Sequence, residues 1–156
     1  MKNRIKKIYL VVIVIFIIII SAISIYINTN INKNNNIVRL INNNWEISLP
    51  NCKSFEILKR DFEEFLFEGE VMINITYDDN EIDKLLNNFE WITDKKVIKE
   101  NIQKCNKILE ISDTCLNKID LSNENNNFFF KIRKTEYLIL IFNTIDNSLI
   151  VIMESY

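Results

Sequence analysis

Phe128-Phe-Phe-Lys-Ile-Arg-Lys-Thr-Glu-Tyr-Leu-Ile-Leu-Ile-Phe-Asn-Thr-Ile-Asp-Asn-Ser-Leu-Ile-Val-Ile-Met-Glu154 decides the fold class of this chain. β-branched and aromatic residues dominate it, and turn-forming residues break it into three pieces. Those pieces, Phe128 to Arg133, Glu136 to Phe142 and Leu149 to Glu154, read as strands, the last two joined by a turn at Asp146-Asn147. Leu138 to Ile141 is continuously apolar, which predicts a strand covered on both faces. The core of that sheet accounts for Phe128-Phe129-Phe130; an aromatic ligand platform is the less economical explanation.

Working outward, Val71, Ile73, Ile75 and Tyr77 alternate with polar residues after Gly69 and predict a further strand. Trp45, Ile47 and Leu49 alternate in the same way and stop at Pro50. Asp78-Asp79-Asn80 supplies a turn and a helix N-cap. Ile82, Leu85, Leu86 and Phe89 then fall on one helical face. A second helix follows Thr93-Asp94, with Ile98, Ile102, Cys105 and Leu109 on one stripe. Ser54 to Glu68 fits two readings, a helix ended by Gly69 or a strand, turn and strand; periodicity favours the helix slightly. The expected domain is α+β, an antiparallel sheet of about five or six strands with two helices on one face.

The N-terminal third has a different character. Ile8 to Ile27 is an uncharged apolar run of bilayer length at 1.5 Å per residue, and it predicts a single transmembrane helix. Lys2, Arg4, Lys6 and Lys7 precede it, so the basic N-terminus, residues 1–7, is expected in the cytoplasm and the remainder outside. A cleaved signal peptide ending near Ala22-Ile23-Ser24, giving a secreted protein, is the competing reading. The continuation of the run through Ile25, Tyr26 and Ile27 favours an uncleaved anchor. Residues 28–44 are Asn-rich and read as a linker, with a short apolar patch at Ile37 to Ile41 that either turns or docks. The extracytoplasmic domain is then 45–156.

Composition narrows the chemistry. Of 19 basic residues, four precede the apolar run, which leaves 15 against 21 carboxylates in the rest, a net of −6. Such a surface disfavours nucleic acid and anionic lipid head groups. The chain has no His and one Gly, so a Ser–His or Cys–His nucleophile and a Gly-rich phosphate loop are both excluded. Cys52, Cys105 and Cys115 lack the spacing of a metal knuckle. Cys105 reads as a small hydrophobe on a helix face, with one disulfide among the three as the alternative.

Two acidic groups are candidate sites. Asp78 to Asp83 superficially matches a calcium loop, but Ile82 occupies the fifth position and no central Gly follows; complementing the helix dipole explains it better. Glu63, Glu64, Glu68 and Glu70 contain enough carboxylates for glycoside hydrolysis, although a solvated charged face explains them better. No catalytic, cofactor-binding or metal residue is assigned, and no cofactor or small-molecule substrate is expected.

Phe65-Leu-Phe-Glu-Gly-Glu-Val71, Ile75-Thr-Tyr-Asp-Asp-Asn-Glu-Ile-Asp-Lys-Leu-Leu86 and the ending from Asn127 to Glu154 resemble small exported, membrane-anchored proteins of low-GC Gram-positive bacteria. The resemblance implies that Ser54 to Glu68 is a strand leading into a turn. Where that family carries His and two Gly, this chain has Phe67-Glu68 and a single Gly. The functional expectation is a non-catalytic binding or accessory module on a single-pass membrane protein, with an envelope protein as partner. An immunity protein against a secreted toxin or peptide is the alternative, and a small wall hydrolase a weaker one.

Overall fold

A computed structural model describes residues 2–60, 69–109, 120 and 123–155; within the first helix, side chains are described for 13–24 and 34–45. The elements run α1 (Lys2–Trp45), β1 (Ser54–Arg60), β2 (Gly69–Thr76), α2 (Asp79–Asn87), α3 (Lys95–Leu109), β3 (Asn126–Arg133), β4 (Glu136–Asn143) and β5 (Ser148–Ser155). The five strands form one sheet in the order β1-β2-β5-β4-β3, and every neighbouring pair is antiparallel.

Strand alternation divides the core in two. Leu138, Leu140 and Phe142 of β4 point to one face, with Val71, Ile73 and Ile75 of β2 and Leu149, Val151 and Met153 of β5. Tyr137, Ile139 and Ile141 point to the other, with Ile152. The first face is covered by Ile37, Val38, Ile41 and Trp45 of α1 and by Leu85 of α2; the second by Ile98, Ile102 and Cys105 of α3. The expected arrangement of two helices on one face is therefore corrected. The α2 stripe and Ile98, Ile102 and Cys105 of the α3 stripe are present, the Leu109 side chain lying outside the described part, but they cap opposite sides of a sheet that is apolar on both. The full burial of Leu138 to Ile141, read from the unbroken apolar run, follows from that three-layer packing.

The N-terminal expectation is also corrected. Among the described residues no helix is long and apolar enough to cross a membrane. The run Ile8 to Ile27 does not end as a separate segment; it is part of a helix that continues to Trp45.

Nor are residues 28–44 a linker. They are helical, because Ile37, Ile41 and Trp45 repeat every fourth residue and pack on the sheet, which outweighs the poor helix propensity of Asn. The helix ends with Glu46 in the left-handed region at φ 50°, and Ile47 N–H donates to Asn42 O at 3.1 Å. Lys131 and Arg133 of β3 reach across to the last carbonyls of α1, Lys131 to Trp45 and Glu46 and Arg133 to Asn44 at 3.0 Å. Cations at a helix C-terminus satisfy its free carbonyls and oppose its dipole.

The strand expected at Trp45 to Leu49 is absent. Trp45 closes the helix, and Asn42 holds Leu49 by both backbone groups, accepting from its N–H at 2.8 Å and donating to its C=O at 2.9 Å. Ser54–Arg60 is a strand rather than a helix, paired with β2 and bulged between Ile57 and Lys59. Residues 61–68 lie outside the described part. Asp94 caps α3, accepting from Lys96 N–H at 2.8 Å and Val97 N–H at 3.2 Å. Asp78 occupies the N-cap of α2 without a capping bond; its carboxylate pairs with Lys53 at 3.2 Å instead.

Candidate functional site

The densest polar chemistry lies inside the sheet, on the α3 side. Register places Glu70 of β2 opposite Glu154 of β5, and Glu154 opposite Tyr137 of β4, so three polar side chains form one row across three strands. Glu70 is 5% exposed and Glu154 2%. Tyr137 donates its hydroxyl to Glu70 Oε1 at 2.9 Å, and Lys59 of β1 donates to Glu70 Oε2 at 2.7 Å. Burial, then the neighbouring Glu70 carboxylate, raises the Tyr137 hydroxyl far above the ordinary phenol range, so it is a fixed donor.

This arrangement uses both oxygens of Glu70 in bonds that tie β1, β2 and β4 together. A general acid or base needs an oxygen that can reach a substrate. The row reads as a buried polar staple between strands.

Of the carboxylates considered for wall hydrolysis, Glu70 is the one described; Glu63, Glu64 and Glu68 lie outside the described residues. The companion that Glu70 does have, Glu154, was missed. Its signal was available: Glu154 shares the strand parity of Ile150 and Ile152, an inward-facing position.

The acidic turn is dispersed. Asp79 accepts from Asn147 at 2.9 Å, and Glu81 pairs with Lys84 at 2.9 Å. Among the described residues no group of three or more Cys, Asp or Glu could hold a metal ion.

Cys52 and Cys105 are free thiols and belong to opposite core clusters, so they do not bridge one another. Cys115 lies outside the described residues. Burial pushes both thiols up to about 11 from 9.0. Cys52 Sγ also donates to Asn34 O at 3.7 Å. Neither is a nucleophile at neutral pH.

These thiols make alkaline stability a test. The unfolded thiol ionises near pH 9.0 and the folded one near 11, so their contribution is complete below pH 9 and disappears as pH rises through 11. Tyr77 and Tyr137, also raised chiefly by burial, extend the loss upward. Urea midpoints are expected to fall steeply from pH 9, and the variant C52A/C105A to delay that fall by about one pH unit. A flat profile to pH 11 in the native chain would contradict the buried-thiol reading.

Openings at the surface lie apart from the staple. A cavity of 240 Å³ between β3, β4 and β5 has Met72, Ile141 and Ile150 on its floor and Asp120, Asn123 and Asp146 among its polar lining. A broader groove of 590 Å³ lies between Glu46, Phe89, Glu90, Phe129 and Lys131. Neither contains Glu70 or Glu154. No family model, curated protein or solved structure matches the chain.

Proposed function

We propose that this chain is a non-catalytic binding or accessory module that works at the outer face of the cell membrane. The observation that carries the reading is the apolar surface of α1, where every large hydrophobic residue from Ile13 to Ile20, and Ile23, is about half or more exposed. A continuous apolar surface of that kind requires an apolar neighbour in the cell, lipid or protein. The basic cluster Lys2 to Lys7 lies beside this surface, and all 21 carboxylates lie C-terminal to it. The described polar chemistry supports a non-catalytic role, since Glu70 is spent within the sheet and the described thiols stay protonated. The resemblance to small exported proteins of low-GC Gram-positive bacteria points the same way.

Crosslinking on intact cells, with mass spectrometry of what is recovered with the full-length protein, tests the reading. One dominant envelope protein is expected, and external protease should cleave the sheet domain. Recovery in the soluble cytosolic fraction with no crosslinked partner would overturn it. A partner captured only after challenge with a secreted toxin would replace it with the immunity reading.

A further inference from the structure

We propose that two copies of this chain pair through the outer edge of β1, joining their sheets across a twofold axis. β1 is the end strand of the sheet, and among the described residues no strand pairs with its outer edge. Ile57 and Leu58, at its centre, are 37% and 47% exposed. An open row of backbone donors and acceptors beside exposed apolar side chains is a template for another strand.

The residues of β1 complement themselves. Pairing with β2 sets Phe55 opposite Ile75 and Arg60 opposite Val71, on the face covered by α1 and α2. Glu56 lies opposite Asn74 and Lys59 opposite Met72, on the face covered by α3. An antiparallel twofold centred between Ile57 and Leu58 places Glu56 against Lys59 of the second copy and Phe55 against its Arg60. Both pairings keep matching faces, and they occur twice.

Ile57 and Leu58 of each copy meet at the axis, forming a four-residue apolar contact. Shifting the register by one residue sets Glu56 against Arg60 on opposite faces and leaves Ile57 against Lys59. Lys59 stays paired with Glu70 at 2.7 Å, and its positive charge faces Glu56 of the second copy.

Charges and a bulge on an edge strand oppose open-ended stacking, and here they select one closed partner. At the opposite edge of the sheet, Ile92 exchanges hydrogen bonds with Phe128 alone, at 2.7 and 3.0 Å. A twofold pairing uses the same edge of both copies and so closes at two.

The test is the mass in solution of the full chain, in a detergent that covers the apolar stretch of α1. Twice 18.6 kDa is expected for the native chain. The variants Leu58→Lys and Glu56→Lys, both at exposed positions, should fall to the single-chain mass with unchanged circular dichroism. A native chain that stays at single-chain mass throughout a concentration series overturns the proposal. So does a dimer that persists in both variants, because it is then assembled through another surface.

Discussion

A chain that begins at Trp45 is expected to show no cooperative unfolding transition, while one that begins at Asn34 retains it. The cut at Trp45 follows the domain boundary that composition suggests, yet it removes Ile37, Val38 and Ile41, which are 5%, 2% and 0% exposed. Each truncation of a buried aliphatic side chain to Ala costs ~2–5 kcal/mol at larger sites. Removing all three with their backbone takes roughly 6–15 kcal/mol by the same scale, comparable with the whole stability of a small domain, about 5–15 kcal/mol. Trp45 would lose the helix that positions it and the stacking of Arg133, now 5.1 Å over its ring. Cys52 and Lys53 would lose their bonds to Asn34. Starting at Asn34 keeps all of these. Urea titration of the two chains, followed by tryptophan fluorescence, is the measurement. A cooperative transition from the shorter chain would show that the sheet does not depend on α1.

The failure of the linker reading at 28–44 has a physical cause. Asn is a weak helix former, and a segment rich in it reads as irregular chain. The stripe Ile37, Ile41, Trp45 was present in the sequence, but a helix stabilised by docking rather than propensity shows itself only when its partner surface is known. By contrast, β2, β4 and β5 were legible because strand periodicity is intrinsic and their apolar runs are long. Which face each helix covers was not legible, since both faces of the sheet are apolar and the α2 and α3 stripes would suit either. The Ser54–Arg60 strand was ambiguous for a similar reason. At the sheet edge, with one bulge and little burial, its residues carry no clean alternation. Of the buried staple, Glu70 could be noted as an acid but not as a buried one. Its partners Lys59 and Tyr137 lie 11 and 67 residues away, distances that only the register of the sheet makes short.

Glu70→Ala is expected to destabilise the protein by about 3–5 kcal/mol, the usual cost of removing one member of a buried charged network. The reason lies in what is left behind. Tyr137 is 0% exposed, and its hydroxyl would lose the Glu70 acceptor in a dry interior. Lys59, whose side chain is 32% exposed, can turn its ammonium outward, so the phenol carries most of the loss. Two companions separate these contributions. Glu70→Gln keeps a carbonyl for the Tyr137 hydroxyl and should cost roughly 1–2 kcal/mol, the scale of a hydrogen bond to a charged group. Combining Glu70→Ala with Tyr137→Phe removes donor and acceptor together, and should cost less than the sum of the single changes by about 1–3 kcal/mol. Denaturant unfolding of the native chain, Glu70→Ala, Tyr137→Phe and the double variant completes the cycle. Simple additivity would mean that the 2.9 Å bond does not hold β2 to β4, and Glu70 would then need another reason to be buried. A coupled result assigns it to the architecture of the sheet, because a group held for catalysis is expected to cost stability when present rather than when removed.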